Sequence, residues 1–197
     1  MSQNVTTRRV TAADLPAIAT LHSRVFGPGR FVRSAYRVRE GKGLISRFCR
    51  VAERGGKLVA TVRITDIAIG GARGAALLGP LAVDPDVAGQ GYGRRLVAEA
   101  LDEMKHAGVK LVVLVGDEPY YGRFGFEPVA PGQMIFPGPV NPQRILAVEL
   151  EAGALQFFRG LIVAEPREGD KAASRDGDKA EPRDGDVAAP PGVSGSS

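Results

Sequence analysis

Residues Ala75 to Val115 restrict the fold more than any other part of the chain. Ala75 to Val83 is an apolar run of strand length, closed by Asp84-Pro85-Asp86. A loop holding Gly89, Gly91 and Gly93 follows. Tyr92, Leu96, Val97, Ala100, Leu101 and Met104 then recur at helical spacing and form one apolar face from about Gly91 to Ala107. Lys105 and His106 stand where a helix favours positive charge, and Gly108 caps it. Leu111 to Val115 is five consecutive apolar residues, the pattern of a strand covered on both faces. A strand, a helix and a buried strand in succession make a right-handed crossover, so the two strands are expected to run parallel.

Before this unit, Thr6 to Val10 reads as a strand. Thr11-Ala12-Ala13-Asp14 reads as a capping-box variant opening a helix with Leu15, Ile18, Leu21 and Val25 in phase. Phe31 to Glu40 reads as a second, very basic helix. Ile45 to Glu53 and Leu58 to Ile69 read as strands joined by the turn Arg54-Gly55-Gly56-Lys57. After Val115 come a helical turn from Pro119 to Phe124 and strands near Phe126 to Val129 and Arg144 to Leu150. A closing helix from Ala152 to Val163 has Leu155, Phe158 and Ile162 inward. The layout is α/β, in one domain spanning 1–164.

From Glu165 the composition changes. Residues 165–197 repeat Arg-Glu/Asp-Gly-Asp at Arg167, Arg175 and Arg183 and hold almost no large apolar side chains, so they read as a disordered low-complexity tail. The tail carries eight acidic and five basic residues, which leaves the body at +7 within a chain of 197 residues and net charge +4. A basic body attracts anions such as nucleotides, CoA phosphates, nucleic acid or acidic substrates. The single cysteine, Cys49, cannot form an internal disulfide and reads as a buried hydrophobe. No apolar run reaches membrane-spanning length and Met1 to Val10 resembles no secretory signal, so a cytoplasmic location is expected. His22 and His106 lack metal-ligand spacing, and no metal is expected.

The glycine-rich handover from strand to helix is the chemical signal. Glycines let the backbone turn tightly and approach a ligand, and the first amides of a helix lack intrahelical partners. With the helix dipole they suit a phosphate, and Arg94 and Arg95 add charge nearby. The loop lacks the Gly-Lys-Ser/Thr ending of a Walker loop, and Gly89-x-Gly91-x-Gly93 lacks the dinucleotide spacing.

Leu81-x-Val83-x-Pro85 followed by Gly89-Gln90-Gly91-Tyr92-Gly93-Arg94-Arg95-Leu96 resembles the acyl-CoA signature of the GNAT superfamily of N-acetyltransferases. Ala88 stands where that signature has Gln or Arg, a departure that removes a side-chain contact and leaves the backbone amides. Tyr120-Tyr121-Gly122-Arg123-Phe124-Gly125-Phe126 resembles the family's Tyr-x-x-x-Gly-Phe element, and Gly116-Asp117-Glu118-Pro119 before it is similar to a branch of predicted bacterial acetyltransferases. The resemblance covers roughly Thr6 to Leu150. It implies a mixed, mostly antiparallel central sheet, splayed between its fourth and fifth strands, with helices on both faces.

It also implies direct transfer of an acetyl group from acetyl-CoA to a primary amine on a small molecule or protein. Leu81, Ala82, Val83, Gly89, Gln90, Gly91, Tyr92, Gly93 and Arg94 are then the donor-binding residues. The amide of Leu81 or Val83 suits the thioester carbonyl. Tyr121 matches the family tyrosine that protonates the departing thiolate, with Tyr120 the alternative donor. Asp66, Asp117, Glu118 or water are candidates for the base. The alternative reading is a non-catalytic acyl-CoA-binding sensor or interaction module. A third takes the cluster Arg30, Arg33, Arg37, Arg39, Lys42 and Arg47 as a surface for an acidic acceptor or RNA, although no RNP, zinc or other nucleic-acid signature accompanies it. The oligomeric state is open, a homodimer included.

Overall fold

The computed structural model describes residues 5–27, 37–38 and 45–165. Its strands are β1 (Val5–Arg9), β2 (Arg50–Arg54), β3 (Lys57–Ile69), β4 (Ala72–Val83), β5 (Leu111–Val115), β6 (Glu127–Pro128), β7 (Met134–Ile135), β8 (Ile145–Glu149) and β9 (Gly160–Ala164). Seven form one row in the order β1-β2-β3-β4-β5-β8-β6. Every neighbouring pair in that row is antiparallel except β4–β5, which is parallel as the crossover requires. β9 pairs antiparallel with Ile67–Ile69 of β3, and β7 pairs parallel with β9.

The crossover helix is α2 (Tyr92–His106). Leu96, Val97, Ala100 and Met104 are buried beside Val62 and Ile64 of β3, Ala76 of β4, and Val112 and Leu114 of β5. Its end is closed by Gly108 N–H donating to Lys105 and Val109 N–H donating to Met104, with Gly108 at φ +79°. The opposite side of β5, Leu111 and Val113, packs with Ile67, Leu77, Phe158 and Ile162, and with Val38 from the short described helical stretch 37–38. Burial on both sides explains the unbroken apolar run.

β4 and β5 are paired only where Ala75–Leu77 meets Leu111–Val113. Beyond that point β4 follows β3 and β5 follows β8, so a wedge opens between them. The divergence begins where β4 shifts register against β3 near Gly79 and Pro80; Pro80 has no amide to donate.

The N-terminal helix α1 (Leu15–Phe26) lies against β3 and β4. A single 3₁₀ turn, Ala12–Asp14, leads into it, and Asp14 accepts from the Thr11 amide at 2.7 Å and from both Arg8 guanidinium nitrogens at 2.7 Å. Arg8 foremost, helped by the Thr11 amide and hydroxyl, outweighs burial and holds the Asp14 carboxyl far below its ordinary 3.8. A depressed folded-state pKa contributes stability that is complete above the ordinary value and lost as pH falls through the lowered one. Asp14→Ala should therefore lower unfolding stability near neutral pH by about 2 kcal/mol. Denaturant melts at pH 7 and pH 2 test this; the gap between the proteins should narrow at the lower pH.

Two expectations are corrected. The closing helix from Ala152 to Val163 is instead a 3₁₀ turn, Ala154–Phe157, followed by β9. Phe158 and Ile162 are buried as expected, but Gly160 at φ +117° interrupts any helix, and Leu161 and Val163 alternate outward as a strand requires. The strand expected from Ile45 begins only at Arg50, because Cys49 N–H turns back to Ser46 O at 3.0 Å. Cys49 is buried, as expected.

Most of the expected basic helix, Phe31 to Glu40, lies outside the described residues, as do Arg30, Arg33, Arg39 and Lys42. Residues 166–197 of the low-complexity segment also lie outside them. Glu165 is described: its amide donates to Asp66 O at 2.9 Å and its carboxylate pairs with Arg73 at 2.8 Å. Among the described residues no helix is long and apolar enough to cross a membrane.

Candidate functional site

The loop from β4 to α2 begins at Asp84, a buried carboxylate. Its amide donates to Val59 O of β3, and its side chain accepts from the Asp86 amide, Arg24 of α1 and Lys57. Burial by itself would raise the Asp84 pKa; the Asp86 amide and the two cations outweigh it and hold the group below 3.8. A permanently charged anchor thus fixes where the loop leaves the sheet.

The glycines act differently. Gly89 and Gly91 sit at φ +79° and +83°, left-handed backbone that L side chains rarely adopt. Gly93 has ordinary helical backbone, but an added Cβ would lie 3.1 Å from the Tyr120 hydroxyl and from Val83 Cγ2. The first two therefore shape the loop, and the third lets α2 approach β4 and the segment after β5.

The outcome is a cleft of about 380 Å³ walled by Val83, residues 88–94, Tyr120 and Arg123. The first amide bonded within α2 is that of Arg95, to Gly91 O at 2.9 Å. The amides of Gly89, Gly91, Tyr92, Gly93 and Arg94 have no backbone acceptor among the described residues. Among the described residues no acidic one lines the cleft. Arg94 and Arg123 pair with no carboxylate among the described residues, whereas Arg95 is committed to Glu99 at 2.9 Å. Open amides, a helix N-terminus and two uncommitted cations make this an anion site. The Gln90 side-chain oxygen accepts from Arg54 and from the Tyr92 hydroxyl, both at 3.3 Å, which fixes the loop's outer edge.

The wedge supplies a second set of donors. Amides alternate sides along a strand, and that of Asp84 points to β3. Ala82 therefore directs its amide to β3, while Leu81 and Val83 direct theirs into the wedge. Ala82 itself is buried.

After β5 the one-turn helix α3 (Glu118–Tyr121) and a 3₁₀ turn, Gly122–Phe124, place two tyrosines in edge-to-face contact at 4.8 Å. Tyr120 lines the cleft. Tyr121 stands beside it, packed on Phe126 at 5.9 Å and over Gly116, where a Cβ would meet its ring at 2.5 Å. Neither hydroxyl makes a hydrogen bond among the described residues. Burial, with the charges of Tyr120 and Asp117 and against Arg144, pushes the Tyr121 phenol up to about 12. Burial also raises Tyr120, opposed by Arg123 and Arg94. Asp117 is held by Arg144 at 3.1 Å, and Glu118 is exposed.

The sequence matches the acetyltransferase (GNAT) domain over residues 6–129, more than half of the chain. The chain belongs to the GNAT family. YhbS of Escherichia coli K12, an uncharacterised N-acetyltransferase, is 38% identical over 85 residues, which cover 43% of this GNAT chain and 51% of YhbS. The match thus spans about half the length of that curated relative. YjhQ of the same strain, also an uncharacterised N-acetyltransferase, is 29% identical over 130 residues, covering 64% and 71%. The crystal structure of E. coli YhbS in complex with CoA aligns with a TM-score of 0.71 at 28% identity, over 84% of this chain and 92% of that one. A GNAT family acetyltransferase from Brucella melitensis in complex with acetyl-CoA aligns with a TM-score of 0.56 at 31% identity, over 74% and 96%. The splayed mixed sheet with helices on both faces is the GNAT fold expected from the sequence.

Of the residues singled out beforehand, Val83 and Gly89 to Arg94 come together in the cleft, while Leu81 and Ala82 lie on the strand beside it. Arg123 and Ala88, which the sequence does not mark as donor-binding, also line the cleft wall. The signal for Arg123 was its position inside the tyrosine motif; only the turn geometry shows that it reaches the cleft.

Proposed function

We propose that this GNAT protein transfers an acetyl group from acetyl-CoA directly to a primary amine. The observation that carries the proposal is the cleft: at the head of α2 five amides lack a backbone acceptor and two guanidinium groups lack a carboxylate among the described residues, beside a wedge into which Leu81 and Val83 direct their amides. The amides and Arg94 hold the donor's pyrophosphate. The wedge takes the pantetheine arm, and the amide of Leu81 or Val83 polarises the thioester carbonyl as the amine attacks. As the tetrahedral intermediate collapses, the C–S bond breaks and Tyr121 gives its proton to the thiolate. Its raised pKa keeps it protonated for that role. The amine's proton leaves to water or a carboxylate.

Calorimetric titration with acetyl-CoA tests the donor assignment. Roughly micromolar binding is expected. Arg94→Gln should weaken it about tenfold through loss of a charged hydrogen bond. Absence of binding to the unaltered protein would remove the donor, and the transferase reading with it.

A further inference from the structure

Arg123 has no role in the transfer described above, yet its surroundings are those of a ligand-binding residue. It is exposed; among the described residues it pairs with no carboxylate, and its only hydrogen bond is a long one, 3.5 Å, to Pro119 O. Other arginines of the fold are committed: Arg24 to Asp84 and Asp86, Arg50 to Glu99 and Glu103, Arg95 to Glu99, Arg144 to Asp117. Arg123 is instead held by an aromatic ring. Its guanidinium carbon lies 5.1 Å from the centroid of Tyr120, in cation–π range. That stacking orients the group without neutralising it.

The ring that carries Arg123 is itself part of the cleft. The Tyr120 hydroxyl reaches the head of α2, 3.1 Å from where a Gly93 Cβ would stand. Arg123 therefore lines the same cleft as the glycine loop and Arg94. The charges of both arginines act on the Tyr120 hydroxyl.

We infer that Arg123 is the second arm of a clamp that closes on the donor's pyrophosphate together with Arg94 and the loop amides, and that through it the donor orders the turn carrying Tyr121. The inference rests on the donor assignment proposed above. Its chemical basis is that a planar guanidinium hydrogen-bonds two phosphate oxygens at once, and stacking on Tyr120 presets its plane. Tyr121 is two residues before Arg123, with only Gly122 between them. A phosphate held by Arg123 consequently fixes the backbone on which the proton donor stands. The loop alone would hold the anion but leave that turn to its own contacts.

Hydrogen exchange read by mass spectrometry, with and without CoA, separates the two claims. In the unaltered protein CoA should slow exchange both in residues 88–95 and in residues 121–126. In Arg123→Gln, at CoA concentrations raised to restore occupancy, protection of 88–95 should remain and that of 121–126 should be lost. Calorimetry on the same proteins should show CoA binding weakened roughly 10- to 100-fold by Arg123→Gln. Arg123→Lys, which keeps the charge but not the planar fork, should fall between. Dephospho-CoA, which keeps the pyrophosphate and lacks the 3′-phosphate, should suffer the same loss.

A loss confined to CoA and absent with dephospho-CoA would overturn the pyrophosphate assignment. Undiminished protection of 121–126 in Arg123→Gln would overturn the coupling. No protection anywhere in the unaltered protein would overturn the donor assignment and this inference together.

Discussion

Phenylalanine at position 121 should leave acetyl-CoA binding unchanged and slow acetyl transfer by about 100-fold, the lower range for loss of a positioned general acid. The change removes one oxygen and keeps the ring that packs on Phe126 and over Gly116. Because the hydroxyl makes no hydrogen bond among the described residues, its removal should leave no partner orphaned and little stability lost. Turnover with whichever amine supports it in an acceptor screen, together with calorimetry, checks both halves. Equal turnover would exclude Tyr121 as the proton donor and turn attention to Tyr120. The pH dependence adds an independent check. A donor is active while protonated, so an alkaline decline due to Tyr121 should lie nearer 12 than the ordinary 10. The same raised pKa contributes stability that is intact below about 10 and lost as pH rises toward 12.

Alanine at position 70 should have the largest effect on stability, about 3 kcal/mol, with the melting temperature lowered by roughly 10 °C. Gly70 sits at φ +57°, and an added Cβ would stand 1.8 Å from the carbonyl oxygen of Arg159. The left-handed backbone costs about 1 kcal/mol for an L side chain. The clash with backbone is the greater part. Arg159 and Gly160 must retreat, and the bond from Gly70 N–H to Leu161 O, 2.9 Å, is lost with them. Gly71 is the control. Its φ is +88°, but nothing lies within 4 Å of its Cβ position, so Gly71→Ala should cost only about 1 kcal/mol. Similar losses for the two variants in denaturant melts would show that the clash is relieved cheaply.

The sequence was most legible where one periodicity had no rival. Leu96, Val97, Ala100 and Met104 form one helix face, and Leu111–Val115 suits a strand covered on both faces. Those two elements and the parallel crossover follow from them. The segment after Glu149 was misread because Leu155, Phe158 and Ile162 are spaced three and four apart, as on a helix. Their burial arises from a 3₁₀ turn and a strand in tandem. Gly160 was the available clue. β7, two residues long, carries no periodicity at all.

The site divides the same way. The glycine loop could be read because its work is done by backbone, and the residue that frees backbone is written in the sequence. The separation of Tyr120 from Tyr121 could not be read. Adjacent residues on one helical turn point in different directions, and which one lines the cleft depends on how α3 sits on Gly116 and Phe126.

The pairing of β9 with β3 has a consequence for how the molecule is made. The stretch of β3 from Ile67 to Ile69 receives that edge partner only from residues 162–164, so everything that builds the cleft and the tyrosine turn is synthesised first. On a ribosome, the β1–β5 meander with its crossover emerges while this apolar strand edge still lacks its cover. Unpaired strand edges of that kind invite association between nascent chains. Slowed elongation or a bound chaperone while that edge is uncovered would therefore bear on yield.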